Sequence, residues 1–330
     1  MQRAAYDVTT VGNAIIDILH PVEEATLVEH AIQRAGMTLI DEERALYLTA
    51  LFENATVAAG GSVANSAAGV ASLGGKAGFI GLVADDALGE AYAQSFRAVG
   101  ATFDTPPRKG PPGTARSIIL VTPDGQRSMN TYLGASTLLA PQHIDAALIQ
   151  ASAIILLEGY LFDKDEAKAA FIHAAEIARS AGRKVSISLS DSFCVDRHRA
   201  SFRHLVANHV DILICNEAEI LSLYEVDDFD TALAHARQDC AVIAATRSEK
   251  GSVVVAHGEQ HAIKAAPVAR VMDTTGAGDQ YAAGFLYGLA AGKPLAACGA
   301  LGALAAAEVI SHMGPRPETS LRALADRAGL

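Results

Sequence analysis

Short runs of aliphatic and β-branched residues recur along the chain: DVTTVG (7–12), AGFIGLV (77–83), AIILLEG (153–159), KVSISLS (184–190), DILICN (211–216) and AVIAAT (241–246). Each has the length of a strand, and most are apolar throughout instead of alternating. A strand covered on both faces needs no polar side, so the pattern predicts parallel strands sandwiched between helical layers. Helical spacing fills the intervals. In 165–181, Ala169, Ile172, Ala175, Ile177 and Ala178 approximate a 3.6-residue stripe that Gly182 stops. Strands alternating with helices form a βαβ series, and the expectation is an α/β fold with a doubly wound, mainly parallel sheet flanked by helices.

Two stretches in the first half break the alternation. One follows the first strand and runs to Phe52; the other leads from Thr105 through PPRKGPPG into the strand-like TARSIILVT and the turn PDG. They predict a small β lid formed from about 14–52 and 105–132 within a single domain over 1–330. No internal repeat or linker divides the chain.

Composition narrows the function. Half the residues are hydrophobic and 19% are charged, which supplies a large core and excludes a disordered chain. The net charge of -11 disfavours a nucleic-acid partner, so any anionic ligand must be held by local groups. Cys194, Cys215, Cys240 and Cys298 form no CxxC pair and read as free thiols in a reducing cytoplasm. The opening MQRAAYDVTTVGNAIID is too polar for an export signal, with Asp7, Asn13 and Asp17 in it. The most apolar later run, Pro294 to Ala307, is shorter than the roughly 20 residues a bilayer requires and reads as a buried helix. DRHR (196–199) reads as a solvated turn, since His198 lacks partners at metal-ligand spacing.

The chemistry concentrates in DTTGAGD (273–279), which places a Gly-Ala-Gly turn directly before the helical run YAAGFLYGLAAG. Free N–H groups at a helix start attract phosphate, and glycines let the backbone approach it closely. A carboxylate at Asp279 then stands where it can take a proton from a hydroxyl. On the residues alone, a simple helix cap remains open.

The longer pattern resembles PfkB-type, or ribokinase-like, carbohydrate and nucleoside kinases, whose C-terminal signature is DTxGAGD. Asp273, Thr274, Gly276, Ala277, Gly278, Asp279, Ala283 and Gly284 match it. The resemblance implies that Asp279 is the catalytic base and that the N–H groups of Gly276, Ala277 and Gly278 form an anion hole for the γ-phosphoryl group of ATP. It also implies nucleotide contacts from Asp273 and Thr275. Asn216 and Glu219 stand in the family's NxxE pattern, which supports Mg²⁺ largely through water, with Glu219 as the metal-side carboxylate. Thr246 and Gly251 match a TxGxxG nucleotide loop in which Ser248 replaces the first glycine, and Arg247 or Lys250 is a candidate extra phosphate contact.

For the acceptor, the resemblance points to Asn13 and Asp17 in GNAIID and to Gly60, Gly61, Ser62 and Asn65 in GGSVAN, with Arg127 in GQRSMN steadying the transferred phosphate. Tyr160, Leu161 or Phe162 is a candidate apolar wall for a base. The GNxxxD and GGSxxN forms, and the insertion through GMTLIDEER (36–44), resemble adenosine kinases more than ribokinases. The expected activity is therefore ATP- and Mg²⁺-dependent phosphorylation of a ribonucleoside 5′-hydroxyl, with kinases of other sugars or nucleosides as the alternative and a non-catalytic nucleoside-binding protein behind them. The expected partners are small molecules, with no nucleic acid and no membrane, and the expected state is a monomer or homodimer.

Overall fold

The computed structural model describes residues 4–52, 54–256 and 258–330, so Met1 to Arg3 of the opening segment lie outside the described residues. In chain order the strands are β1 (Tyr6–Val11), β2 (Ile15–Pro21), β3 (Gly36–Leu39), β4 (Thr56–Gly60), β5 (Ala77–Ile80), β6 (Ala115–Val121), β7 (Arg127–Tyr132), β8 (Ser152–Glu158), β9 (Lys184–Ser188), β10 (Ile212–Asn216), β11 (Val242–Thr246), β12 (Ser252–Ala256) and β13 (Glu259–Ile263). Eight of them make one sheet in the order β13-β12-β11-β10-β9-β8-β1-β5. All its pairings are parallel except the two that join β11 to β12 and β12 to β13.

The apolar runs acquire their meaning in β8. Successive side chains of a strand point to opposite faces. Ile155 and Leu157 accordingly enter one core with Phe171, Phe202 and Leu223, on helices Asp165–Ser180, Ser192–His209 and Glu217–Tyr224. Ile154 and Leu156 enter the other core with Val63, Val70, Tyr281 and Phe285, on helices Ser62–Ser72 and Ala277–Ala290. Each fully buried Leu or Ile side chain contributes about 1.5–3 kcal/mol of transfer free energy, and neither face offers a polar residue a solvated position.

The second sheet has the order β3-β7-β6-β2-β4 and covers its own small core, in which Leu27, Leu48 and Phe52 meet Ile118 and Leu120. The stretches 14–52 and 105–132 fall largely in it, but the hairpin expected from the second stretch is only its β6–β7 portion, closed at Thr122–Gln126. β4, at 56–60, lies beyond the expected bounds and forms the edge against β2. DRHR, expected as a solvated turn, lies inside helix Ser192–His209 at a kink where His198 leaves helical geometry, and Arg199 pairs with Asp196 and Glu225. The run read as a buried Ala-rich helix is helix Leu295–Val309. Among the described residues no helix is long and apolar enough to cross a membrane. All four cysteines are buried, and none forms a disulfide among the described residues.

Candidate active site

The chain crosses between the two sheets four times, and two of the crossings carry the residues expected for the acceptor. β1 becomes β2 across Gly12–Ala14, and β4 becomes helix Ser62–Ser72 at Gly61. The acceptor residues expected from the sequence lie at these crossings. Asp17 stands on β2 opposite β4, and a Cβ on Gly60 would lie 2.3 Å from its carboxylate, so only glycine admits that side chain. Burial pushes the Asp17 carboxyl up to about 7, against the pull of Arg316 and Arg127 and with a push from Asp279. Asn13 is buried, donates from Nδ2 to Glu158 Oε1 at 2.7 Å, and leaves its Oδ1 without a partner among the described residues.

Asp279 sits in the first turn of helix Ala277–Ala290, where the peptide dipole favours negative charge. Helix Ser62–Ser72 grips it: Ser62 Oγ donates to Oδ1 at 2.6 Å, Asn65 Nδ2 donates to Oδ2 at 3.0 Å, and Ser66 Oγ donates to its backbone oxygen at 2.9 Å. Burial raises the carboxyl to about 6, and the Ser62 and Asn65 bonds restrain the rise. A carboxyl so tuned is largely ionised at neutral pH yet basic enough to share a proton.

Before Asp279 the backbone turns through Gly276 at φ +80, where Cβ would also meet Pro315 at 2.7 Å. The three expected anion-hole donors are not equivalent. Ala277 N–H donates to Thr274 O at 3.2 Å, whereas Gly276 and Gly278 have no backbone acceptor among the described residues. Gly278 faces open space, with nothing within 4 Å of an added Cβ.

Ala277, Gly278 and Asp279 open on a cavity of about 600 Å³ that Ser62, Asn216, Glu219, Thr246 and Gly251 also line, with apolar lining from Ala303, Ala307 and Ile310; of the expected acceptor residues only Ser62 lines it, Asn13, Asp17, Gly60, Gly61 and Asn65 lying outside its wall. Asn216 both lines the cavity and caps helix Glu217–Tyr224: its Oδ1 accepts from Glu219 N at 2.9 Å, and Glu219 returns the bond by accepting from Asn216 N and Nδ2. Burial lifts the Glu219 carboxyl to about 7. Each of its oxygens already accepts one protein hydrogen bond, so the pair suits a hydrated Mg²⁺ held through water better than a directly ligated one. No group of three or more His, Cys, Asp or Glu at metal-binding geometry occurs among the described residues. Ser248 lines the same cavity and adopts φ +51, the left-handed conformation glycine favours, so the loop follows its path without the expected glycine.

Several expected roles change. Arg247 and Lys250 turn away from the cavity to Glu217, and Arg247 also lies 4.1 Å over the Phe229 ring. Asp273 and Thr275 do not line the cavity. Asp273 accepts from Thr275 N and Oγ1 and from Gly314 N, and forms an ion pair with Arg127 at 2.6 Å. That cluster lies behind the glycine turn; Arg127 is close enough to Asp273 for an ion pair, but its Nε and Nη2 make no hydrogen bond among the described residues, and its charge also acts on Asp17. Leu161 and Phe162 are core residues, Phe162 stacking on Phe202 at 4.1 Å, which leaves Tyr160 alone of that segment exposed.

Two further residues shape the site. Glu158, at the end of β8, accepts from Asn13 N and Nδ2 and from Val63 N, and burial raises it to about 7. A lone carboxylate ending the apolar run AIILLE was a signal for it. Arg316 donates from Nε to Asn65 Oδ1 at 3.2 Å, and nothing in its local sequence marks it.

A buried carboxylate at a glycine-rich helix start, beside a cavity of about 600 Å³, is an arrangement suited to a small-molecule kinase. The pfkB family carbohydrate kinase profile matches residues 31–321, and the chain belongs to that family. It is 30% identical over 263 residues to the 5-dehydro-2-deoxygluconokinase of Geobacillus thermodenitrificans, covering 76% of this chain and 78% of that one. Among solved structures it resembles a probable sugar kinase from Rhizobium etli (47% identity, TM-score 0.91, 99% of each chain). It also resembles the adenosine kinase from Sinorhizobium meliloti (48% identity, TM-score 0.90, 98% of this chain and 100% of that one). The ribokinase-like fold is shared with these neighbours, and family membership makes ATP the phosphoryl donor.

Proposed function

We propose that this chain phosphorylates the 5′-hydroxyl of a ribonucleoside, adenosine, to give AMP, using ATP and Mg²⁺. The observation that carries the reading is Asp279, held by Ser62 and Asn65 at the mouth of the cavity with its carboxyl raised to about 6. Asp279 takes the proton as the hydroxyl oxygen bonds to the γ-phosphorus, and the bond to the β–γ bridging oxygen breaks with its electron pair leaving on ADP. The free N–H groups of Gly276 and Gly278 face the charge that develops, joined by Ala277 if its 3.2 Å bond to Thr274 yields. Asn216 and Glu219 would hold Mg²⁺ through its water shell, and the ion would neutralise phosphate oxygens during transfer.

The likeness to the Sinorhizobium meliloti adenosine kinase over 98% of the chain supports the nucleoside acceptor, as do the unpartnered Asn13 Oδ1 and the raised Asp17, both of which suit a hydroxyl-rich ligand. The relationship to a 5-dehydro-2-deoxygluconokinase favours a second reading, a polyhydroxylated sugar acid as acceptor. The reading places the enzyme in a reducing cytoplasm as a monomer or homodimer, its four buried cysteines outside any disulfide.

ADP formation measured with adenosine, ribose, fructose and 5-dehydro-2-deoxygluconate separates these acceptors. Adenosine should give the highest kcat/KM, and a leading sugar acid would replace the nucleoside reading. Asp279→Asn should lower kcat by about 10²- to 10⁴-fold; retention of full activity would remove Asp279 as the base.

A further inference from the structure

Arg316 lies in the loop after helix Leu295–Val309, far in sequence from every acceptor residue, yet it reaches the catalytic carboxylate through one intermediary. Its Nε donates to Asn65 Oδ1 at 3.2 Å, its Nη1 donates to Ser95 Oγ at 3.2 Å, and its guanidinium lies 5.2 Å over the Phe96 ring. The loop that carries it is pinned on both sides. Gly314 N donates to Asp273, Gln280 Nε2 donates to Pro315 O, and Glu308 accepts from Glu318 N and Thr319 N. Arg316 is therefore presented from a fixed backbone, and its contacts fix the guanidinium plane.

The carboxamide of Asn65 has two orientations that differ only in which end is the donor. In the observed one, Nδ2 faces Asp279 and Oδ1 faces Arg316. The reverse would set oxygen against carboxylate and NH₂ against guanidinium. While Asp279 is ionised it favours the observed orientation by itself. Once it holds a proton, its own O–H could instead donate to a rotated Asn65 oxygen. A guanidinium has no acceptor and stays charged, so Arg316 demands the oxygen in both protonation states.

We propose that Arg316 is a positioning residue for phosphoryl transfer, locking the Asn65 carboxamide as a permanent donor to Asp279. The lock favours the ionised base in a site where burial opposes it, and it denies the protonated base an acceptor that would retain the proton. Asp17, Glu158 and Tyr160 also act electrostatically with Asp279, so the test must isolate the route through Asn65.

The inference rests on Asp279 as the base, and the experiment reads the carboxyl directly in the ligand-free protein. The ¹³C carboxyl titration of Asp279 is compared in wild type, Arg316→Met, Asn65→Ala and the double variant, beside the acid limb of kcat against pH. Arg316→Met should move the Asp279 midpoint upward and lower kcat about 10- to 100-fold, the loss expected for a hydrogen bond to a charged group. In the Asn65→Ala background it should change kcat less than about twofold and leave the midpoint in place. An equal shift in both backgrounds would mean that Arg316 acts as a bare charge, and an unmoved midpoint in the single variant would equally overturn the proposal. Arg316→Lys, which keeps one donor and the charge, should recover part of the loss and serves if the methionine variant does not fold. Turnover that survives Asp279→Asn would instead refute the base, leaving the carboxyl midpoints as the separate record of Arg316.

Discussion

Gly278 has neither a positive φ nor a crowded Cβ position, and so has no structural reason to be glycine. On the proposed mechanism, the space a methyl group would take is space a phosphoryl group needs. Gly278→Ala should therefore leave the thermal midpoint within about 1 °C while lowering kcat/KM for ATP by at least tenfold, and an active alanine variant would place the phosphate elsewhere. Ser248 is the opposite case, a side chain in a glycine conformation. Left-handed backbone costs a non-glycine residue about 1–2 kcal/mol, partly offset by the greater unfolded-state entropy of glycine. Ser248→Gly should gain about 0.5–1 kcal/mol in denaturant unfolding; a loss would mean that the serine hydroxyl has a role of its own. The sequence displayed the glycine signature but not Arg316, because a contact spanning 251 positions leaves no local trace.

Among the elements, the strands of the large sheet were legible because burial on both faces writes itself as an unbroken apolar run. The second sheet was legible only as an interruption. β3 is four residues of GMTL whose alternation is inverted, with Met37 and Leu39 exposed, and β4 begins with three exposed residues, so neither shows the usual buried apolar face. Glu158 ties elements together: β8 ends on it, the β1 exit donates to it through Asn13, and helix Ser62–Ser72 donates through Val63. A glutamine there offers one acceptor where the site supplies three donors. Glu158→Gln should cost about 1–3 kcal/mol of stability at pH 8, measured by chemical denaturation. A variant as stable as wild type would mean that the carboxylate's desolvation cancels its bonds.

Across the whole molecule the raised carboxyls set the pH response. Asp17, Glu158 and Glu219 are pushed to about 7 and Asp279 to about 6, and His312 is also raised, against the effect of its burial, by its hydrogen bond to the Met313 backbone and then by Glu308 and Glu318. A folded pKa above the unfolded one gives stability that is complete below the unfolded value and lost as pH rises through the folded value. His143 and His209, lowered by burial, oppose the trend but are less enclosed. The unfolding temperature should accordingly fall as pH rises from about 4, where the unfolded carboxyls titrate, to about 7, where the folded ones do. Below about pH 4 it should also drop, as Asp86, Asp124, Asp228 and Glu217, all held low, take up protons. A midpoint that climbs from about pH 5 to 7 would contradict the first limb. Activity should run the other way on its acid side, growing as Asp279 ionises near pH 6, so the enzyme is expected to work where it is not at its most stable.

The two crossings that carry the expected acceptor residues have a mechanical consequence. Asn13 lies in the link from β1 to β2, and the Gly60–Ser62 turn joins β4 to the helix packed on the large sheet, while 81–114 and 133–151 join β6 and β7 to it. If the first two crossings seat the acceptor as proposed, the small sheet is hinged in part at that seat. A swing of β2 or β4 would then be geared into it, and a ligand that fills the seat would load the motion without a separate transmission.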